Sequence, residues 1–510
     1  MTVTALSTLD IGVFAAYLLL LIGVGVYFTR QQKGLKSYLL ADQNIPWFIV
    51  AVSVLAALFS GITYLGAPAF TYRYDLTYFW VIASFFIATP ITTMIFLPFF
   101  RSLSLYTAYE YLSQRFDPRL RWTASTLFIT RILFHLGLAI YAPALAIQAI
   151  TGWNLELSIV LTGIAATLYT TLGGMKAVIW TDTIQFLILC GGIVLILAFA
   201  IADVPGGLPA AWQMAAAKGK TQFIHFELDL GVPMTLWSAL LGGASINLIQ
   251  MVTDQIAVQR YLTAPSLRDS QKALWFKLWV TMPLLLMFCL TGTVLFAYYQ
   301  AFPERTPVLS KTDQLLPYFV VHQLPSPLPG LLIAAIFGAT MAVASAGINS
   351  LATTTLIDFR LQKSGASGRR EVLLARGLTV LYGIVITALA LGLGKVSETL
   401  VESIFLIQGI FGGPLLGLFF LGVLSRRANG NGALVGTGGG ILAAVLIALS
   451  GRLGYPIASM WTAFVAAVAS YAIGLVASLP FPPPGPAAQA LVFSRQRLKE
   501  LEHHACKPAE

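Results

Sequence analysis

The sequence predicts an all-α membrane protein of about 13 transmembrane helices, two of them broken near the middle. Three observations carry this. Of 510 residues, 57% are hydrophobic and only 10% charged, with a mean hydropathy of +0.80; soluble domains carry about 25% charged residues. The apolar residues fall into repeated runs of about 20, the helical length that crosses hydrocarbon. Two of those runs hold helix breakers at their centres, and irregular backbone at membrane depth survives only where it lines a cavity or is buried in protein.

In chain order the runs are 10–29, 45–71, 77–100, 120–150, 156–173, 178–202, 233–257, 272–299, 329–359, 374–394, 399–424, 432–450 and 456–479. The first has no basic residue ahead of it, Arg30 being the earliest. It therefore lacks the charged leader of a secretory signal and reads as a span with its N-terminus outside. The second holds Ser60-Gly61-Ile62-Thr63, then Gly66 and Pro68. In the third, Tyr78, Phe79, Ile82 and Phe86 form an aromatic and aliphatic stripe of the kind used for packing. The segment 101–119 reads as amphipathic and interfacial.

The fourth run carries Arg131 and His135, four apart and so on one helix face. Arg131 lies about 15 Å into the span. An arginine at that depth needs a partner: a solute anion, Asp182 or Glu402, or backbone carbonyls. The sixth run opens with Asp182 in GGMKAVIWTDTIQ. An acid entering a membrane span has an ion or proton as its functional partner, or is solvated near the helix end. The seventh holds Gly242-Gly243-Ala244-Ser245-Ile246-Asn247, then Gln250, Thr253 and Asp254.

Two interrupted spans five apart mark an inverted-repeat carrier with a midplane site, the repeats being about 45–202 and 233–424. The alternative is that Gly and Ser serve close helix packing. The transmembrane domain is then 1–480. A tail follows at 481–510, opening with PFPPPGP and holding the solvated pair His503 and His504. The segments 203–232 and 300–328 are the longer external loops.

Lys and Arg concentrate in alternate loops: near Arg30, at Arg101 to Arg121, at Lys176, at Arg260 to Lys277, at Arg360 to Arg376, at Arg426 and Arg427, and in the tail. The positive-inside rule makes that side cytoplasmic, with the N-terminus outside and the C-terminus inside. The same bias produces the net charge of +10. It implies anionic lipids at the cell (inner, plasma) membrane as partners, and no nucleic acid. No oligomer is implied. Cys190, Cys289 and Cys506 give neither a disulfide framework nor a metal-ligand spacing. No nucleophile–base cluster points to an enzyme.

TTLGGMKAVIWTDTIQ at 170–185, YAPALAIQAITG at 141–152, VQRYL at 258–262 and GPLLGLFFLGV at 413–423 are colinear. Together they resemble the sodium/solute symporter family, in particular its iodide, multivitamin, monocarboxylate and bacterial sialic acid branches. The resemblance implies the leucine-transporter-type fold of five-plus-five inverted repeats, with alternating access around a fixed site. It implies a small organic solute, most simply an anion such as a monocarboxylate or sugar acid, coupled to Na+. Ser60, Thr63 and Asn247 beside the breaks would hydrogen-bond it, with Arg131 and His135 facing it. In the sialic acid carriers, the arginine that binds the substrate carboxylate aligns with His135.

The resemblance also implies a principal Na+ site from the carbonyls of Ala56, Phe59 and Ala339. Its two hydroxyl ligands align with Ala342 and Val343, which have none. Losing two of about five oxygens should weaken that site severely. A second site matches Asp182 and Ser345, with Ala346 replacing a serine. Sodium held by Asp182 and Ser345, a proton on Asp182 in its place, and an uncoupled carrier all remain open. A fused nutrient sensor is disfavoured by the short tail.

Overall fold

A computed structural model describes residues 7–29, 44–103, 107–360, 369–393 and 400–493. Among them, nine helices are long and apolar enough to cross a membrane. The bent pair Trp47–Ala57 and Gly61–Arg73 makes a tenth. Three shorter apolar helices, Thr8–Leu21, Leu155–Leu168 and Ser238–Thr253, fall where the remaining runs were expected. No strand occurs among the described residues.

The helix Leu328–Thr354 is the axis of the bundle and is buried almost throughout. Its sequence, rich in Ala, Gly and Ser, lets neighbouring helices approach closely, the usual basis of packing without a hydrophobic drive between helices. A methyl group on Gly338 would lie 2.4 Å from the Tyr17 hydroxyl, and one on Gly347 2.5 Å from Leu136. Around this axis stand Thr8–Thr29, Pro118–Thr151, Leu155–Asp203 and the bent pair. Outward faces carry exposed Leu187, Trp279, Leu442 and Val476, an apolar outer surface. Gly430–Leu449 and Thr462–Ala477 pack against each other at the periphery, where Gly436 meets the backbone of Ser470 and Gly474.

The first break falls where the sequence placed it. The helix Trp47–Leu58 ends, and the helix Gly61–Arg73 starts at a 58° bend. Ser60 adopts extended backbone and its Oγ accepts from the Thr63 N–H at 3.4 Å, a weak N-cap. The second break does not fall at Gly242-Gly243. Helical geometry continues from Ser238 through Thr253, partly as π-helix, and stops at Asp254, whose backbone is extended. Asp254 Oδ1 then accepts from the Ile256 N–H at 2.9 Å and starts the helix Gln255–Tyr261. The two glycines serve packing: a methyl on Gly242 would lie 2.1 Å from the Met460 carbonyl, and one on Gly243 2.9 Å from that of Val81.

Other expectations also shift. The runs 156–173 and 178–202 are joined in one helical stretch, Leu155–Asp203, with no loop between them. In the segment 101–119, Tyr111, Leu112 and Arg115 are buried in the body of the protein, and Arg115 donates to the carbonyls of Gly422 and Ser425. Arg115, Arg121, Arg260 and Lys277, counted among the loop cations, are buried and do not face lipid headgroups. Asp358 pairs with Arg121 at 2.7 Å and accepts from Thr107 and Ser125. The tail begins packed on the body, where the Phe493 N–H donates to the Val423 carbonyl at 2.9 Å. His503, His504 and Cys506 lie outside the described residues.

Candidate functional site

Both breaks open on one cavity. Ser60 and Thr63 line it from the first broken helix, and Asn247, Gln250 and Asp254 from the second. His135, Arg260, Lys277, Gln408 and Val343 complete its polar and apolar wall. Four of the five predicted solute contacts, Ser60, Thr63, His135 and Asn247, are therefore brought together. Asn247 donates through Nδ2 to the Val81 carbonyl and to Ser84 Oγ, both at 2.9 Å, which leaves its amide oxygen to meet a solute. His135 Nδ1 has no hydrogen-bond partner among the described residues.

Arg131, the fifth, stands behind the wall. It is fully buried and does not line the cavity. Its partners within the protein are neither Asp182 nor Glu402. Nη1 donates to Gln408 Oε1 at 2.7 Å, and Nη2 lies 2.7 Å from Asp254 Oδ2, close in distance but off the hydrogen-bond line. Asp254 thus neutralises Arg131 while it caps the helix at the second break. The π-helical turns at Ile249–Thr253 and Gln408–Gly412 bring these groups together; such turns recur at functional sites.

Asp182 is fully buried and holds an ion pair that the sequence did not reveal. Its Oδ2 accepts from Arg260 Nη2 at 2.9 Å and from Ser53 Oγ at 2.6 Å. Arg260 Nε in turn donates to Ser53 Oγ at 2.9 Å, and Nη1 to the Ile256 carbonyl at 3.1 Å. This closed triangle ties Trp47–Leu58 to Gln255–Tyr261 and to Leu155–Asp203. Asp182 Oδ1 has no hydrogen-bond partner among the described residues. Ser345 Oγ donates to the Ala342 carbonyl at 3.2 Å.

Ala56, Phe59, Ala339, Ala342 and Val343 are all buried, at the first break and on the axial helix. Helix ends leave backbone carbonyls without helical partners, and the helix Trp47–Leu58 ends there. Thr340, the nearest hydroxyl on the N-terminal side, is turned to the Ala139 carbonyl at 3.3 Å. Val343 presents an apolar side chain to the cavity. Reasoning from sequence missed Ser53, Asp254 and Gln408 as partners, and Lys277 as a wall residue. Two carried a local signal: Asp254, an acid placed to cap the helix that follows it, and Lys277, flanked by Trp275, Phe276, Leu278 and Trp279.

Broken helices around a buried polar cavity define a membrane carrier of the leucine-transporter fold. The sodium:solute symporter family matches residues 38–440, and the chain belongs to that family. The family's members are carriers and not enzymes. Over 457 residues the chain is 35% identical to the sodium-dependent multivitamin transporter of Oryctolagus cuniculus, covering 87% of this chain and 70% of the relative. It is 33% identical to the sodium/sialic acid symporter of Proteus mirabilis, covering 88% and 90%. It is 32% identical to sodium-coupled monocarboxylate transporter 2 of Bos taurus, covering 89% and 75%. A substrate-bound, outward-open Na+-coupled sialic acid symporter superposes with a TM-score of 0.85 at 30% identity, covering 94% of this chain and 99% of that one. Mhp1, a nucleobase-cation symporter, shares the fold alone, at a TM-score of 0.54 and 15% identity.

Proposed function

We propose that the protein moves a small organic anion across the cell membrane by alternating access, coupled to Na+. The observation that carries the anion is the charge of the cavity wall. Arg260 and Lys277 line it, and Asp254 is the carboxylate among its described lining residues; Arg131 pairs with Asp254 and Arg260 with Asp182, so Lys277 leaves the wall one positive charge in excess. Ser60, Thr63 and the Asn247 amide oxygen supply neutral hydrogen-bonding groups at the breaks. The relatives' monocarboxylates, vitamins and sialic acid suggest the size and class of solute.

For the cation, the carbonyls of Ala56, Phe59 and Ala339 and the pair Asp182 and Ser345 are the groups we assign. The unpartnered Asp182 Oδ1 supports a cation there. Arg260 beside it argues for weaker binding, since it already neutralises the carboxylate. The apolar Ala342 and Val343 favour a second reading, in which a proton replaces Na+ or coupling is loose.

We also infer that 45–202 and 233–424 are the inverted repeats of a domain reaching to about 480. The N-terminus would lie outside and the C-terminus in the cytoplasm, with lipids as the surrounding partner. Uptake into proteoliposomes of a panel of carboxylates, sugars and vitamins, under separate sodium and pH gradients, tests the function. Carboxylate uptake driven by a sodium gradient is expected. Uptake that is unchanged when both gradients are collapsed would reject coupling.

A further inference from the structure

Lys277 is a cation that no carboxylate among the described residues neutralises. It lies on the 35-residue helix Leu267–Ala301, about five residues, or roughly 8 Å, past the start of the apolar run at 272. The residue is only 3% exposed, yet it lines the cavity. The other two cations at the site are paired: Arg131 with Asp254, and Arg260 with Asp182. Among the described residues, Nζ of Lys277 meets no carboxylate and no hydrogen-bond acceptor. Its one recorded partner is the Phe85 ring, with Nζ 4.0 Å from the centroid. An aromatic face offsets part of the charge but satisfies none of the three N–H donors.

A lone buried ammonium is costly and, inside a membrane protein, marks a substrate or ion pathway. The cavity has apolar walls at Ile82, Ile246, Val343 and Phe405 beside its polar groups. One unbalanced positive charge on that wall calls for one negative charge on a compact solute that is apolar in part. We infer that Lys277 binds the carboxylate of a monoanionic organic solute. This rests on the organic-anion reading above. A carboxylate there accepts charge-assisted hydrogen bonds from Nζ, stronger than neutral ones. The axial rim of Ser60, Thr63 and Asn247 then meets the neutral end of the solute.

The test uses the full-length protein in proteoliposomes with three carboxylates, lactate, nicotinate and N-acetylneuraminate, each against its neutral amide or methyl ester. Wild type should take up at least one acid in clear preference to its neutral form. Failure with all three acids would overturn the organic-anion reading, and this inference with it. Given an accepted acid, Lys277→Met and Lys277→Gln should weaken its apparent affinity by about tenfold or more and abolish the preference for acid over neutral form. Lys277→Arg should restore both. Lys277→Met without solute should melt at or above wild type, because a stranded charge has gone, whereas a merely structural lysine would leave a less stable protein. Two results would sink the inference alone: either neutral variant keeping the acid preference, or chloride replacing the acid as the ion that stabilises wild type over sulfate buffer.

Discussion

Asp182→Asn separates a structural ion pair from an ion-binding carboxylate. In the native protein Asp182 Oδ2 holds Arg260 at 2.9 Å and Ser53 at 2.6 Å, with all three residues fully buried. Asparagine keeps the shape but leaves the Arg260 guanidinium as an uncompensated buried charge. Removing one partner of a buried pair costs about 3–5 kcal/mol, most of it the penalty on the charge left behind. Replacing both, as Asp182→Asn with Arg260→Gln, should return most of that loss, since neither charge then stays buried. Melting of the purified protein, followed by tryptophan fluorescence for wild type, both single variants and the double variant, gives the coupling between the two residues. The same four proteins melted with and without NaCl report the ion. A ligand at 100 times its Kd adds about 2.7 kcal/mol. If sodium uses Asp182 Oδ1, that gain appears in wild type and vanishes in every variant lacking the acid. An Asp182→Asn protein that melts like wild type, without sodium, would refute the ion-pair argument. A sodium gain that survives the substitution would remove Asp182 from the cation site.

Three further outcomes follow from the same geometry. Ala342→Ser with Val343→Ser should strengthen the sodium dependence of uptake by restoring the two missing hydroxyls, and unchanged sodium affinity would show that their loss is not what limits binding. Asp313, in the segment between Ala301 and Leu328, has its carboxyl pushed up from 3.8 to about 6, chiefly by burial, partly offset by the N–H of Leu400 and by Lys311. Its neutral form is favoured on folding, so this contribution is full below about pH 4 and is lost as pH rises through about 6, a loss of order 3 kcal/mol at most. Asp313→Asn should flatten that part of the melting-versus-pH curve, and an unchanged slope would exclude Asp313 as its source. Gly292→Ala should destabilise by about 1–3 kcal/mol, because its methyl would lie 2.1 Å from the Pro68 carbonyl, a backbone atom that cannot turn aside; a melt like wild type would show that the two helices separate easily.

The spans were legible in the sequence because hydropathy is a property of each stretch alone. The first break was legible for the same reason: Ser60-Gly61 is both a cap and a breaker within two residues. The second was misread because Gly242-Gly243 looks like a breaker to any local rule. Its actual use, close approach to Met460 and Val81, depends on helices more than 150 residues away in sequence. Asp254 starts the second half-helix by a capping bond, which is local, but its pairing with Arg131 joins residues 123 apart and has no sequence signature. The Asp182–Arg260 pair is equally invisible. Lys277 was counted with a cytoplasmic loop because basic residues dominate 260–277. Its neighbours Trp275, Phe276, Leu278 and Trp279 were the signal that it sits on an apolar turn.

The two paired arginines also divide the structure mechanically. Arg131 fastens Pro118–Thr151 to the second break and, through Gln408, to the helix that begins at Leu400. Arg260 fastens the half-helix after that break to Leu155–Asp203 by an ion pair. The second broken helix is thus held by charge on both sides of Asp254. The half-helix Trp47–Leu58 shares the second triangle only through the neutral hydroxyl of Ser53. Its two hydrogen bonds go to charged groups and are together worth about 3–6 kcal/mol, while breaking a buried ion pair by removing one partner costs about 3–5 kcal/mol. The triangle therefore holds Trp47–Leu58 and Gln255–Tyr261 to Asp182 about equally, and neither half-helix parts from it alone at low cost.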